Sequence, residues 1–193
     1  MPQTSVQEQK QALRKAYAET ASRLSTAYKE KANERMTDFL LRSSVYRQAS
    51  SIFIYISTAF EPDTRTIIEN AWHAEKAVYA PKCYGQGRMD AVQVTDWEGL
   101  APGKLGILEP KDSLRFQIAD AVHLCVVPCV AVTRNGLRLG HGAGYYDRWL
   151  KGHPSSRTIC LCFECLIAQS VPGDPWDVPM DHVLTENGFF PPL

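Results

Sequence analysis

The sequence predicts an α/β fold: a single-domain, three-layer sandwich with a mainly parallel central sheet and a helical N-terminus. Three observations lead there. Helical periodicity fills the N-terminal stretch, short β-rich runs alternate with helical ones after it, and the chain of 193 residues suits one compact core.

The elements follow in order. Ser5-Val6-Gln7-Glu8 reads as a capping box, with Ser at the cap and Glu three residues on. Behind it Ala12, Leu13, Ala16, Tyr17, Ala21 and Leu24 recur at helical spacing, predicting a long amphipathic helix. A second helix is predicted over 28–48, with Ala32, Met36, Phe39, Leu40 and Tyr46 on its apolar face. Residues 51–57 are β-rich and read as a buried strand. The turn Glu61-Pro62-Asp63-Thr64 opens a helix over 64–74, marked by Ile67, Ile68, Ala71 and Trp72. A short strand over 77–80 is expected to stop at Pro81, and a more exposed strand to follow over 91–95. Residues 99–110 read as a Gly- and Pro-containing loop. A central strand over 122–132 is interrupted by Pro128. After a glycine-rich segment, a helix is predicted over 145–150, a strand over 158–163, a loop over 171–179 and a last strand over 182–185.

Composition excludes several classes. Lys plus Arg and Asp plus Glu are equal at 21 each, so bulk charge does not suggest a nucleic-acid binder. The first ten residues are polar and carry no signal-peptide pattern. The longest apolar stretch, 119–132, is broken by Asp120, His123 and Pro128, so no run reaches membrane-spanning length. A cytoplasmic protein is the expectation. The six cysteines read as thiols, mostly buried, rather than a disulfide frame, and Cys162 and Cys165 lack the further ligands a zinc site needs.

The informative segment is 136–147, with four glycines in the nine residues from Gly136 to Gly144. Gly140, Gly142 and Gly144 alternate, which exposes backbone N–H groups beside the start of a helix and can make an anion nest. Arg138 adds a guanidinium fork, and Asp147 a carboxylate suited to Mg²⁺ beside phosphate oxygens. The spacing fits neither a Rossmann fingerprint, since Tyr145 stands at the third glycine, nor a Walker A loop, since Gly-Lys-Ser/Thr is missing. A plain flexible turn is the competing reading.

The run Arg138-Leu139-Gly140-His141-Gly142-Ala143-Gly144-Tyr145-Tyr146-Asp147, with Val127-Pro128 before it, resembles the signature of the 5-formyltetrahydrofolate cyclo-ligase family. Lys10 and Arg14 resemble its N-terminal Lys-x-x-x-Arg, and Gly106-Ile107-Leu108-Glu109-Pro110 its Gly-x-x-Glu-Pro. The strand ending Ile54-Tyr55-Ile56-Ser57 with its acidic loop, Val171-Pro172, Trp176-Asp177 and Thr185-Glu186 fall in the family's order too.

The resemblance implies ATP- and Mg²⁺-dependent conversion of 5-formyltetrahydrofolate to 5,10-methenyltetrahydrofolate, by phosphorylation of the formyl oxygen and ring closure, with ADP and phosphate released. It implies ATP contacts from Lys10, Arg14, Arg138, Leu139, Gly140, His141, Gly142, Ala143, Gly144, Tyr145 and Tyr146. Folate would meet Ile56, Glu61, His141, Gly142, Ala143, Gly144 and Tyr145, and Mg²⁺ would sit on Asp147 and Asp177. Lys10, Arg138 and Asp147 would be catalytic. Some members carry a basic residue where Ala143 stands, and the position of His141 varies. The partner expected is the small-molecule folate, with no nucleic acid and no membrane, and the expected state is a monomer.

Blander readings stand beside these. Lys10 and Arg14 alone would be a solvated i, i+4 face, Glu61 a loop residue, Asp177 an exposed turn and Asp147 a first-turn helix acid. Trp97, Trp149 and Trp176 read as packing residues, His123 as a satisfied core residue, and one of Tyr145 and Tyr146 as core. Two other functions compete: a non-catalytic folate- or nucleotide-binding module on the same fold, and a sugar-phosphate isomerase or acyl-CoA transferase by fold analogy alone.

Overall fold

The structure is a computed structural model that describes residues 5–103, 106–114, 118–119 and 121–193. Residues 1–4 of the polar start, 104–105 of the expected loop and Asp120 of the broken apolar run lie outside the described residues.

Helix α1 (Val6–Ser22) starts at the expected capping box: Ser5 accepts from the Glu8 backbone, and Glu8 accepts from the Ser5 backbone. Its inward stripe differs from the apolar one predicted. Lys10 and Ala21 are buried and Leu13, Arg14 and Tyr17 half-buried, while Ala12 and Ala16 are exposed. The helix therefore turns two cations inward. The single helix predicted over 28–48 is two: α2 (Thr26–Arg42) and α3 (Ser44–Gln48). Ser43 breaks it by adopting extended backbone and accepting from the Tyr46 N–H, so it caps the second piece.

Strand β1 (Ser51–Ile54) and α4 (Arg65–His73) follow as expected, with the strand shorter than read. Strand β2 (Ala77–Gly85) runs straight through Pro81 and pairs with β3 (Arg88–Gln93). The predicted stop fails for a geometric reason. The Val94 N–H donates to Val78, and by two-residue alternation Pro81 sits where an N–H would point away from β3. Pairing with β1 has already ended at Tyr79, so no ladder needs the missing donor. Although β3 is an edge strand, its Ala91 and Val92 are fully buried rather than exposed.

The loop read over 99–110 contains a small hairpin, β4 (Leu100–Pro102) with β5 (Leu108–Pro110). Strand β6 (Leu124–Val127) ends at Pro128, and β7 (Ala131–Val132) pairs antiparallel with β8 (Arg138–Leu139). Then come α5 (Tyr145–Gly152), β9 (Arg157–Leu161), β10 (His182–Thr185) and β11 (Gly188–Phe190).

The main sheet has the order β11-β10-β9-β6-β1-β2-β3. Its five inner strands are parallel, and an antiparallel strand closes each edge. Ile52, Phe53 and Ile54 are all buried, so both faces of β1 are covered. Phe53 packs on Tyr146 and Trp149 of α5, with ring centroids 5.9 and 4.5 Å away. Its neighbours in sequence must then face the opposite layer, which gives the predicted three-layer sandwich.

From β1 the chain crosses through α4 to β2 on one side, then returns to β6 on the other. That reversal is a topological switch point, where open α/β sheets leave a crevice beyond the carboxyl ends of the strands. His123, at the opposite end of β6, is exposed rather than in the core, and its Nδ1 meets Ser50 and Ser51 hydroxyls at 3.1 and 3.0 Å. Among the described residues no helix is long and apolar enough to cross a membrane.

Candidate functional site

The segment leaving β1 forms one wall of the crevice. The Tyr55 hydroxyl donates to the Pro62 carbonyl and Thr64 to the Tyr55 carbonyl, both at 2.8 Å, which folds residues 55–64 back on themselves. This places Glu61, whose Oε2 accepts from the Thr58 N–H and hydroxyl at 2.9 and 2.8 Å. Its Oε1 lies 3.2 Å from His141 Nε2. Burial alone would raise the Glu61 pKa, but the His141 and Thr58 hydrogen bonds outweigh it and hold the carboxyl below its ordinary value. Glu61 is therefore an ionised acceptor at neutral pH.

The segment leaving β6 forms the facing wall. The glycine run does not leave the central strand directly. The β7–β8 hairpin intervenes, tied by Val130 N–H to the Leu139 carbonyl at 2.8 Å, and it returns Arg138 to the end of β6. Arg138 and Leu139 are thus strand residues, and the loop proper is 140–144. Gly142 has φ +101° and Gly144 φ +67°, conformations that L side chains rarely adopt. Gly144 stands as the cap of α5 with no side-chain cap bond, so the first-turn amides of Tyr145 and Tyr146 face the loop without intrahelical acceptors.

Ion pairs flank the loop. Arg138 Nη2 donates to Asp147 Oδ1 at 2.8 Å, and the same oxygen accepts from the Val178 N–H at 3.2 Å. On the α1 side Lys10 Nζ meets Asp174 Oδ2 at 2.7 Å and Asp177 Oδ2 at 2.6 Å. Burial by itself would lower the Lys10 pKa; the two carboxylates reverse that and raise it. Arg14 Nε donates to the Gly140 carbonyl at 2.8 Å, and its guanidinium carbon lies 3.3 Å from where a Gly142 Cβ would be. Arg138 Nε and Tyr146 Oη are buried side-chain atoms without a hydrogen-bond partner among the described residues.

These groups line a cavity of about 670 Å³ at the switch point, a size common for small-molecule sites. Every residue that the resemblance implied as a site residue lines it: Lys10, Arg14, Ile56, Glu61 and all of 138–147, together with Asp177. Residues from opposite ends of the chain are brought together there by α1, whose Leu13 and Tyr17 pack against Ala131, Leu139, Ala168 and Val171. Both Asp147 and Asp177 are oxygen donors that could hold a divalent cation, each now matched by a cation. The solvated-face reading of Lys10 fails, because the side chain is 6% exposed.

Several lining residues went unread. Asp174 shares Lys10 with Asp177, and its only sequence signal was a place in an apparently exposed loop. Arg148 and Lys151 follow the glycine run on α5, and Cys83 and Met89 come from the β2–β3 hairpin. Burial pushes the Cys83 pKa up to about 11, with Glu109 adding to it, so that thiol stays protonated. Of the tryptophans, Trp149 packs in the core and Trp97 against Trp72, as expected. Trp176 does not: it is 56% exposed at the cavity.

Comparison with known proteins gives a consistent result. A model of the 5-formyltetrahydrofolate cyclo-ligase family matches residues 6–186. The 5-formyltetrahydrofolate cyclo-ligase of Escherichia coli is 30% identical over 144 residues, covering 72% of this chain and 79% of that protein. The Haemophilus influenzae protein of the same name is 26% identical over 182 residues, covering 92% and 97%. The solved structure of Aquifex aeolicus 5,10-methenyltetrahydrofolate synthetase superposes with a TM-score of 0.82 at 26% identity, covering 93% of this chain and 91% of that one.

Proposed function

The chain belongs to the 5-formyltetrahydrofolate cyclo-ligase family, and from that premise we propose that it converts 5-formyltetrahydrofolate to 5,10-methenyltetrahydrofolate in the cytoplasm, as a single-domain monomer, consuming ATP with Mg²⁺. The observation that carries this reading is the pairing across the glycine loop. Lys10 with Asp177, and Arg138 with Asp147, each join a cation suited to phosphate with a carboxylate suited to a metal. A metal and a polyphosphate would each take one member of such a pair, so the site can accept both without stranding a charge. The partnerless Arg138 Nε and the open amides beside Gly144 add donors for the same anion.

The chemistry asks for this arrangement. A formamide is a poor electrophile, and its oxygen departs only once it has become a better leaving group. ATP, when bound, supplies the phosphoryl group that does this. Phosphoryl transfer needs positioning and charge neutralisation rather than a covalent protein nucleophile. We assign Lys10, Arg14 and Arg138 to neutralising phosphate charge, and the backbone of 139–146 to holding it. Asp147 and Asp177 would hold Mg²⁺. Ionised Glu61, fixed by Thr58 and His141, would accept from an N–H of the pterin beside Ile56, and residues 141–145 would contact both ligands. Buried thiols need take no part, since burial raises the pKa of Cys125 and Cys160.

Incubation with 5-formyltetrahydrofolate, ATP and Mg²⁺ tests the proposal. Appearance of the methenyl product, dependent on both ATP and metal, is expected. Binding of ATP and folate with no product would instead make the chain a binding module.

A further inference from the structure

We propose that Arg148 is a positioning residue, a clasp that fastens the β2–β3 hairpin to the glycine loop and so fixes two walls of the cavity relative to each other. Three features of the structure converge on it. From the first turn of α5, Arg148 Nη2 donates to the Ala143 carbonyl at 2.9 Å and Nη1 to the Gly144 carbonyl at 3.3 Å. The guanidinium thus grips the last two residues of the loop from below. Its other face lies against the hairpin tip so closely that a Cβ on Gly87 would overlap the guanidinium, and Gly87 is buried although its neighbours Gln86 and Arg88 are exposed. The tip is a tight turn in which Gly85, Gln86 and Gly87 all have positive φ, at 93°, 51° and 73°, and it brings Gly87 to the guanidinium.

What the clasp joins is functional on both sides. Gly85 and Met89 of the hairpin and Ala143 and Gly144 of the loop all line the cavity. The bonding also distinguishes Arg148 from Lys10 and Arg138 and makes it like Arg14, which likewise donates to a loop carbonyl. Lys10 and Arg138 are neutralised by carboxylates, whereas no carboxylate pairs with Arg148 among the described residues. A planar fork can satisfy two carbonyls and lie flat on a glycine at once, which an ammonium cannot do. The inference rests on reading 140–144 as the phosphate-holding element. Its consequence is that a wall contacting one ligand is held in register with the loop contacting the other.

The test compares wild type with Arg148→Ala, Arg148→Lys, Gly87→Ala and the Gly87→Ala/Arg148→Ala double variant. Misplacement of reacting groups falls mainly on turnover, so Arg148→Ala should lower kcat about tenfold while both KM values stay within about threefold. Arg148→Lys should not restore it. Gly87→Ala should lower kcat similarly by displacing the guanidinium, and the double variant should be no more than about twofold worse than Arg148→Ala, because the two changes break one contact. Effects that multiply in the double variant, an unchanged kcat in Arg148→Ala, or rescue by lysine would overturn the clasp. Amide hydrogen exchange gives a readout independent of activity and of whether Gly87→Ala folds. In Arg148→Ala, exchange should quicken at both 84–88 and 142–145, and unchanged protection at both refutes the proposal. Absence of turnover in the wild type would count against the cyclo-ligase reading and leave the exchange result to decide the clasp.

Discussion

Replacing Lys10 by Met keeps the aliphatic stem and removes only the charge, which makes it a direct probe of the buried triad. Lys10, Asp174 and Asp177 side chains are 6%, 11% and 19% exposed, so the variant leaves two carboxylates mostly out of water with no cation. Breaking a fully buried pair costs ~3–5 kcal/mol. Partial exposure of the two acids, and the N–H of Asp174 that still serves Asp177 at 2.8 Å, reduce this to about 2–3 kcal/mol. For a chain of this length that is a fall in Tm of roughly 5–10 °C. The pH dependence has a definite sign. The folded pKa of Lys10 is raised above 10.5, so its contribution is complete below that value and is lost as pH climbs through the folded pKa. The gap between wild type and variant should therefore be flat from pH 7 to about 10 and close above it. Urea denaturation of both proteins across that range is the assay. A loss under ~0.5 kcal/mol at pH 7 would refute the claim that the triad is a buried, coupled unit. So would an equal loss when Lys10→Met is made on an Asp174→Asn/Asp177→Asn background.

Three other outcomes are expected. Asp147→Asn retains an oxygen for Arg138 and the Val178 N–H, so stability should stay within about 1 kcal/mol while the Mg²⁺ needed for half-maximal turnover rises at least about tenfold; an unchanged magnesium titration removes Asp147 from the metal site. Gly142→Val puts a branched side chain at φ +101° and against Arg14, so ATP affinity, measured calorimetrically, should fall at least about a hundredfold; normal binding would mean that backbone approach there is irrelevant. His141→Ala removes the strongest hydrogen bond lowering the Glu61 pKa, so the acid limb of folate binding, present above the Glu61 pKa and lost below it, should move to higher pH; an unmoved limb separates Glu61 from folate.

Much of this was legible in the sequence because the signals were local. The capping box at Ser5, the break at Pro128 and the helix opening at Tyr145 all depend on residues within a turn of one another. The glycine loop was legible for a different reason, since alternating glycines are costly unless something needs the backbone exposed, whereas Lys10, Arg14, Ile56, Glu61 and Asp177 were singled out only through the family resemblance. What could not be read depends on neighbours distant in sequence. Whether Pro81 ends a strand turns on where β1 stops pairing, which the local sequence does not encode. Asp174 looks like a surface-loop residue until α1 brings Lys10 to it. Ser43 divided a periodic helix because a cap competes with continuation, and both outcomes use the same apolar spacing. Arg148 carried no signal at all, because its partners are carbonyl oxygens and a glycine in another element.

Titration of isotopically labelled protein with Mg·ADP, followed by the backbone amide resonances, tests the central claim most directly. The N–H signals of residues 139–146 should shift most, with Val178 and Asp177 following as Mg²⁺ draws on the carboxylates beside them. Large shifts confined to another part of the surface, with Gly140, Gly142 and Gly144 unmoved, would contradict it.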